Sequence, residues 1–222
     1  MGLSVQQGLD EGAIQVWVKD PTTALALAET GWDGGLRPQA GADYVFYADS
    51  NMGYNKVDAV LERTLDYAVD WPADGGPGVA TVAMTYRHPV AAPGHICDPA
   101  PRYGDDYDEM TARCYFSYVR LYAPGGSQLL ETSGLEADSV VSERGEKRTQ
   151  RFGGYFVMQP GTEHTVRFTY ELPEGLTPAD YRLVVQRQAG TNPLPVTLQV
   201  GDETHSATVA SRQLTWAPGN GE

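Results

Sequence analysis

The run HTVRFTYEL, residues 164 to 172, sets Val166, Phe168, Tyr170 and Leu172 on one side and Thr165, Arg167, Thr169 and Glu171 on the other. A period of two is the pleat of a strand with one buried face; a helix would scatter the same apolar groups around its axis. GVATVAMTYRH places Val82, Met84 and Tyr86 on one face, and YRLVVQRQ and LPVTLQV repeat the alternation. CYFSYVRLY is apolar on both faces, as an interior strand requires. DYVFYAD, residues 43 to 49, reads as a further strand and THSATVASRQLTW as a terminal one. Between them stand Pro72 to Gly78, Ala123-Pro-Gly-Gly, Gln159-Pro-Gly, Leu172-Pro-Glu-Gly and Gly201-Asp, all turn chemistry. Strands at this spacing predict a mainly β fold, an antiparallel β-sandwich of immunoglobulin-like or related type, rather than a chain of βα units.

The N-terminal region is less regular. AIQVWVKD, residues 13 to 20, alternates Ile14, Val16 and Val18 with Gln15, Trp17 and Lys19 and predicts a strand that Asp20-Pro21 ends. TTALALAETGW predicts a short helix over about 22 to 30, with a threonine cap before it and Gly31 after it. Residues 1–41 thus form a strand-helix-loop extension that packs on a main domain, 42–218. Residues 57 to 70 fit two patterns. Val57, Ala59, Leu61, Leu65, Tyr67 and Val69 keep a period of two, whereas Val57, Val60, Leu61, Thr64, Leu65 and Ala68 make a helical stripe. Tyr and Val in LDYAVDW favour a long, bent strand with Glu62-Arg63 at an exposed bend.

A chain of 222 residues can bury a real core without staples. Its 29 acidic and 16 basic residues give a net charge of -13, which disfavours nucleic acid and anionic lipid because no long basic cluster offsets it. No apolar stretch has membrane-spanning length, and MGLSVQQGLDEG lacks the basic and apolar regions of a signal peptide. Membrane association is therefore expected only through a segment absent from this chain. Cys97 and Cys114 allow one intrachain disulfide, closing a loop of about 17 residues worth roughly 3 kcal/mol. Two reduced thiols are the alternative. Zinc held by the pair and His95 lacks a fourth ligand and any CxxC spacing.

The run DSNMGYNK, residues 49 to 56, concentrates Asp49, Asn51, Gly53, Asn55 and Lys56. Calcium would need more oxygen ligands and a later bidentate acid, and Lys56 sets a positive charge beside the site. Phosphate would need a fuller glycine loop, and a lone lysine is no nucleophile without a base. An amide between Lys56 and an Asn or Asp of another strand is chemically conceivable. The favoured reading is a structural turn or binding element, in which Asn and Asp bond nearby amides and Gly53 takes positive φ.

His88, His95, His164 and His205 are scattered without a metal spacing, and the acidic run GDDYDE, 104 to 109, reads as a solvated loop. Ser127, Ser133 and Ser142 lack the G-x-S-x-G context of a hydrolase nucleophile. A glycosidase could bring two distant acids across a cleft lined by some of the 13 Tyr and 4 Trp, but no acid pair identifies itself. No catalytic residue, metal ligand or cofactor site is expected.

KDPTTALALAETGWDGGLRP and DYVFYADSNMGYNKVDAVLERTLDYAVD resemble the C-terminal portion of a bacterial family, the domain of unknown function 4012. YRHP, RCYFSYVRLYAPGGSQLL, YFVMQPGTEHTVRFTYELP and YRLVVQRQAGTNPLPVTLQV resemble its later stretches, so the likeness spans most of residues 10 to 200. Members of that family look like membrane-anchored cell-envelope proteins with a preceding helical portion. The resemblance implies an extracytoplasmic location and a structural or interaction role, and it carries no catalytic set across. The expected function is a non-catalytic envelope module that binds another envelope protein or a glycan, with the loops from Gly31 to Gly41 and Cys97 to Cys114 as contact surfaces. The alternative is a carbohydrate-binding or polymer-modifying enzyme domain, which a cleft with converging acids would mark.

Overall fold

Strand β1, Asp43–Asn51, is apolar on both faces because both are covered. Val45 and Tyr47 enter the main core, whereas Tyr44 joins Ala42 and Val184 in a second cluster on which Phe46 and Tyr122 pack. The computed structural model describes residues 2–73, 75–100 and 106–219. Among them twelve strands form two six-stranded sheets packed as a sandwich. After β1 come β2 (Glu62–Asp70), β3 (Val79–Arg87), β4 (Tyr115–Pro124), β5 (Gln128–Ser133) and β6 (Val141–Arg144). Then follow β7 (Thr149–Met158), β8 (Glu163–Glu171), β9 (Leu183–Gln186), β10 (Leu194–Val200), β11 (Glu203–Val209) and β12 (Gln213–Trp216). One sheet runs β12-β9-β1-β4-β7-β6 and the other β11-β10-β2-β3-β8-β5.

The mainly β sandwich is as expected, but each sheet is mixed. β9 joins β1 in parallel and β10 joins β2 in parallel, while the other pairs are antiparallel. Alternation along a strand reports which face is buried, not the direction of its neighbour, so the parallel pairs were not readable from it. THSATVASRQLTW also divides: β11 closes one sheet, and after Ala210 to Arg212 the chain crosses to β12 on the other.

The residues between the sheets are unusually aromatic. Tyr67, Tyr86, Tyr115, Tyr170, Phe152, Phe156 and Phe168 are essentially inaccessible to solvent. Tyr86 and Phe156 meet at 5.1 Å between ring centroids, and Phe152 and Tyr170 at 5.3 Å. Tilted ring pairs of this kind add about 0.5–1.5 kcal/mol each beyond area burial.

Asp43 is fully buried in this core. Its Oδ2 accepts from the hydroxyls of Tyr67 and, at 2.5 Å, Tyr181, and its Oδ1 accepts from the Tyr44 amide at 2.7 Å. Burial pushes its carboxyl above the usual range, although the three donors oppose that shift by favouring the charge.

Residues 57 to 70 correct the long-strand expectation. Val57–Ala59 is a single 3-10 turn with Val57 buried, and strand pairing begins only at Glu62. Arg63 is not on an exposed bend; its side chain is only 10% accessible.

The predicted strand at 13 to 20 does not form. Val16 donates to the Trp32 carbonyl at 2.8 Å, but the segment joins neither sheet, and Trp17 is 83% exposed. An alternating pattern needs a sheet to bury it, and residues 13 to 20 pair with no strand of either sheet. Helix α2, Pro21–Thr30, matches the predicted helix. Its cap, however, is Asp20, whose carboxylate accepts from the Thr23 amide at 2.8 Å, and Gly31 ends it at φ 77°. A second helix, α1 (Gly2–Asp10), precedes it. Both helices end against arginines: Arg187 Nη2 donates to the Glu11 carbonyl at 2.9 Å, and Arg212 Nη2 to the Thr30 carbonyl at 2.8 Å. A cation there satisfies end carbonyls and complements the helix dipole.

Because the folded state holds the Asp43 proton more tightly than the unfolded chain, the stability this group contributes is present at low pH and lost as pH rises through its folded pKa. Asp43→Asn should therefore gain on wild type as pH rises from 4 to 8, measured by denaturant unfolding. A difference that does not change with pH contradicts the assignment.

Candidate functional site

The run Asp49 to Lys56 is the crossover that carries the chain from β1 in one sheet to β2 in the other. Its polar side chains serve one network. Asn51 Nδ2 donates to Asn55 Oδ1 at 2.8 Å and to Asp58 Oδ2 at 2.7 Å, while Asn51 Oδ1 accepts from the Gly53 amide at 2.8 Å. Asn55 Oδ1 accepts from the Val57 amide, and its Nδ2 donates to the Cys114 carbonyl at 2.9 Å. The Lys56 amide donates to the Met110 carbonyl at 3.0 Å, so the crossover docks on the segment that precedes β4. The Lys56 side chain is exposed.

Two of these residues differ from expectation. Asp49 belongs to β1 and is buried rather than part of a solvated turn. Gly53 does not take positive φ; that conformation falls to Tyr54, at φ 50°. Gly53 is needed for space, since a Cβ there would lie 2.6 Å from Asn55 Nδ2 and 2.8 Å from Phe116 Cδ2.

The centre of the network is Arg63. Its Nε donates to Asp49 Oδ2 and its Nη2 to Asp58 Oδ1, both at 2.9 Å, and Tyr115 donates its hydroxyl to Asp58 Oδ1 at 3.0 Å. The guanidinium lies over the rings of Tyr86 and Tyr115, 5.7 and 6.0 Å from their centroids. Burial alone would lower its pKa, but Asp49 and the tyrosine rings hold it above the ordinary arginine value. The guanidinium charge is permanent and faces two carboxylates, Asp49 and Asp58, so the cluster acts as a clamp between the sheets.

Cys97 and Cys114 form a disulfide with Cα atoms 5.4 Å apart, which overturns the zinc alternative. Asp106 and Glu109 of the acidic run make a capping box on the short helix α3, Tyr107–Thr111; Gly104 and Asp105 lie outside the described residues. His88 is buried, with Nε2 on the Arg113 carbonyl at 2.9 Å; His164 meets the Gly134 carbonyl, and His205 stacks on Trp216. Among the described residues no three His, Cys, Asp or Glu gather as metal ligands.

A cleft is found elsewhere, on the outer face of the sheet containing β1. Its volume is about 590 Å³, and the N-terminal segment roofs it. Register sets the floor. Gln213, Gln186 and Phe46 lie in one row across β12, β9 and β1, and Tyr122 of β4 continues the row beyond the cleft lining. Phe46 and Tyr122 stack with centroids 5.6 Å apart, and Arg120, two residues along, lies 5.0 Å over the ring of Tyr118. Gln186 fixes the roof: its Oε1 accepts from the Arg37 amide at 3.0 Å and from the Tyr44 hydroxyl at 2.7 Å, and its Nε2 donates to the Gly35 carbonyl. Gln188 continues the β9 ladder with its side chain, exchanging bonds of 2.8 and 3.0 Å with the Asp49 backbone.

Sequence reasoning expected contact surfaces on two loops. Of these, the Gly31 to Gly41 loop contributes Gly31, Gly34, Gly35 and Arg37 to the cleft, and the Cys97 to Cys114 loop contributes nothing to it among the described residues. Phe46, Arg120 and Gln186 were missed as site residues. The available signal was that DYVFYAD and CYFSYVRLY are apolar on both faces, which requires a cover on each.

No protein-family model, curated protein or solved structure matches the chain. No helix among the described residues is long and apolar enough to cross a membrane.

Gly53→Ala should destabilise the fold by about 1–3 kcal/mol, because the methyl displaces Asn55 or Phe116. Tyr54→Gly should cost nothing, or stabilise by up to about 1 kcal/mol, since it relieves a left-handed backbone. Urea unfolding of both variants checks the pair, and the reverse order would contradict the space argument.

Proposed function

We propose that this protein is a non-catalytic, extracytoplasmic interaction module of a bacterial cell-envelope protein, and that its ligand seat is the cleft beneath the N-terminal segment. The roofed cavity of about 590 Å³ carries the reading, since concave sites of roughly 300–1,000 Å³ with a few placed polar groups are what small ligands and glycan segments occupy. The half-buried Phe46 ring, in the same row as Gln213, suits sugars, which offer an apolar ring face and a rim of hydroxyls. Hydrolysis is less well supported. Of the acids that line the cleft, Asp10 accepts from Trp32 Nε1, Glu11 from Gln7 Nε2 and Asp49 from Arg63, which leaves Glu29 without an equally free partner acid.

The extracytoplasmic part of the reading is supported by the Cys97–Cys114 disulfide, since such bonds persist in oxidising compartments. The envelope setting is the expectation raised by the sequence resemblance to the domain of unknown function 4012, and no family model matches the chain.

Binding to a glycan array is the direct test. We expect retention of a subset of glycans without turnover, and loss of that retention in Phe46→Ala, measured at a temperature where the circular dichroism of the variant is still native. Release of a product, abolished by a single acid substitution in the cleft, would replace this reading with the enzyme alternative.

A further inference from the structure

The two ends of the sandwich differ in charge. Strand β4 starts at Tyr115, next to Cys114, and ends at Pro124, which pairs with Thr149. Helix α3 before β4 and the β6–β7 tip before Thr149 therefore lie at opposite ends, roughly 30 Å apart along ten residues of strand. At the tip end, Glu143 to Arg151 carries four of the chain's 16 basic residues against two acids, and Glu143 pairs with Arg151. Lys147 and Arg148 form the tip itself, both exposed and without a carboxylate in ion-pair reach among the described residues. Both take left-handed backbone, at φ 52° and 61°, where a tight hairpin turn favours Asn and Gly. Gly125 approaches the Arg148 carbonyl so closely that no side chain would fit between, which seats the tip against the turn closed by the Ser127 amide on the Pro124 carbonyl. The two cations line a cavity of about 500 Å³ with Pro38, Pro124, Pro173 and Leu176, and Glu174 is the one acid in that lining. At the other end Asp106, Asp108 and Glu109 are exposed, and Tyr107 among them is 60% exposed. Lys56, whose amide docks on the Met110 carbonyl, offsets one of these three charges.

We propose that the chain associates head to tail with a second copy, Tyr107 of one copy entering the proline-lined cavity of the next while the acids beside it meet Lys147 and Arg148. Charge complementarity selects this occupant. The net charge of -13 opposes association in general, so it favours the one orientation in which opposite charges meet. Tyr107 supplies what charge alone lacks, since exposed ion pairs contribute little and a buried ring contributes more. The contact also accounts for the tip, where two cations stand in strained backbone that Asn and Gly would occupy without strain. Unlike patches make a heterologous interface, which leaves one free end of each kind on every pair, so growth continues past two copies. A contact between loop tips is small and the association correspondingly weak, with a Kd of roughly 0.1 mM.

Sedimentation equilibrium of the full chain, from about 10 μM to about 1 mM, tests this around the expected Kd. We expect the weight-average mass to rise with concentration past that of two copies. Lys147→Asn combined with Arg148→Gly relaxes the turn, so the thermal midpoint should rise while self-association weakens roughly ten-fold or more. Tyr107→Ser combined with Asp108→Asn keeps the Asp106–Glu109 capping box and should weaken association by a similar factor. An equimolar mixture of the two variants retains one complete contact and should form a one-to-one pair that grows no further. A wild-type chain that stays monomeric across the range overturns the proposal, as does association that either variant leaves unchanged. Growth that stops at two copies, or variants that fail to pair when mixed, overturns the head-to-tail arrangement.

Discussion

The architecture depends on how strand β1 ends. Its inward row is Asp43, Val45, Tyr47 and Asp49, two apolar residues bracketed by two carboxylates, and each carboxylate reaches the other sheet. Asp49 is neutralised by Arg63 of β2, and Asp43 is held by Tyr67 of β2 and by Tyr181. The two clamps hold the same pair of strands, so they fix the offset of one sheet on the other at both ends of the core. Apolar packing is non-directional and would tolerate sliding. A buried ion pair adds little net stability over apolar replacements, but it penalises every register in which its charges lose each other.

That fixed frame is also what leaves a cleft outside it. The outward row of β1 is Tyr44, Phe46, Ala48 and Ser50, with its apolar residues toward β9 and its small ones beside Arg120. The N-terminal segment covers this face through polar latches, with Arg187 and Arg212 each taking a helix end and Gln186 holding Gly35 and the Arg37 amide. α2 buries no residue completely, so the roof is held off the floor rather than sunk into it. Hydrogen bonds at the margins with space between are a suitable form for a ligand seat, because the seat is preformed and little ordering is left to binding.

Strands with a clean period of two were legible, as β3, β8 and β10 show. β7 was not read as a strand because Gly153 and Gly154 interrupt its apolar pattern. Those glycines are packing choices: a Cβ at Gly154 would lie 2.7 Å from Leu135 Cδ1, and one at Gly153 2.9 Å from the Val119 carbonyl. β5 and β6 are short edge strands with exposed residues and little periodicity. The alternation of residues 13 to 20 misled because it has no sheet to join. The polar character of the crossover was legible, but the centre of its network was hidden: Arg63 occupies an inward position of β2, where sequence patterning expects an apolar residue, and only its partner on β1 explains it. The cleft was hidden for the same reason, since it is made by strands and a roof far apart in the chain.

A double-mutant cycle on Asp49 and Arg63 tests the clamp most directly. Arg63→Met alone should cost roughly 3–5 kcal/mol, because it leaves the Asp49 carboxylate buried without a counter-ion. Adding Asp49→Leu should recover much of that loss and give a coupling above about 1 kcal/mol in urea unfolding. Costs that add to within about 0.5 kcal/mol would contradict the account, since the two side chains would then stabilise the sandwich independently.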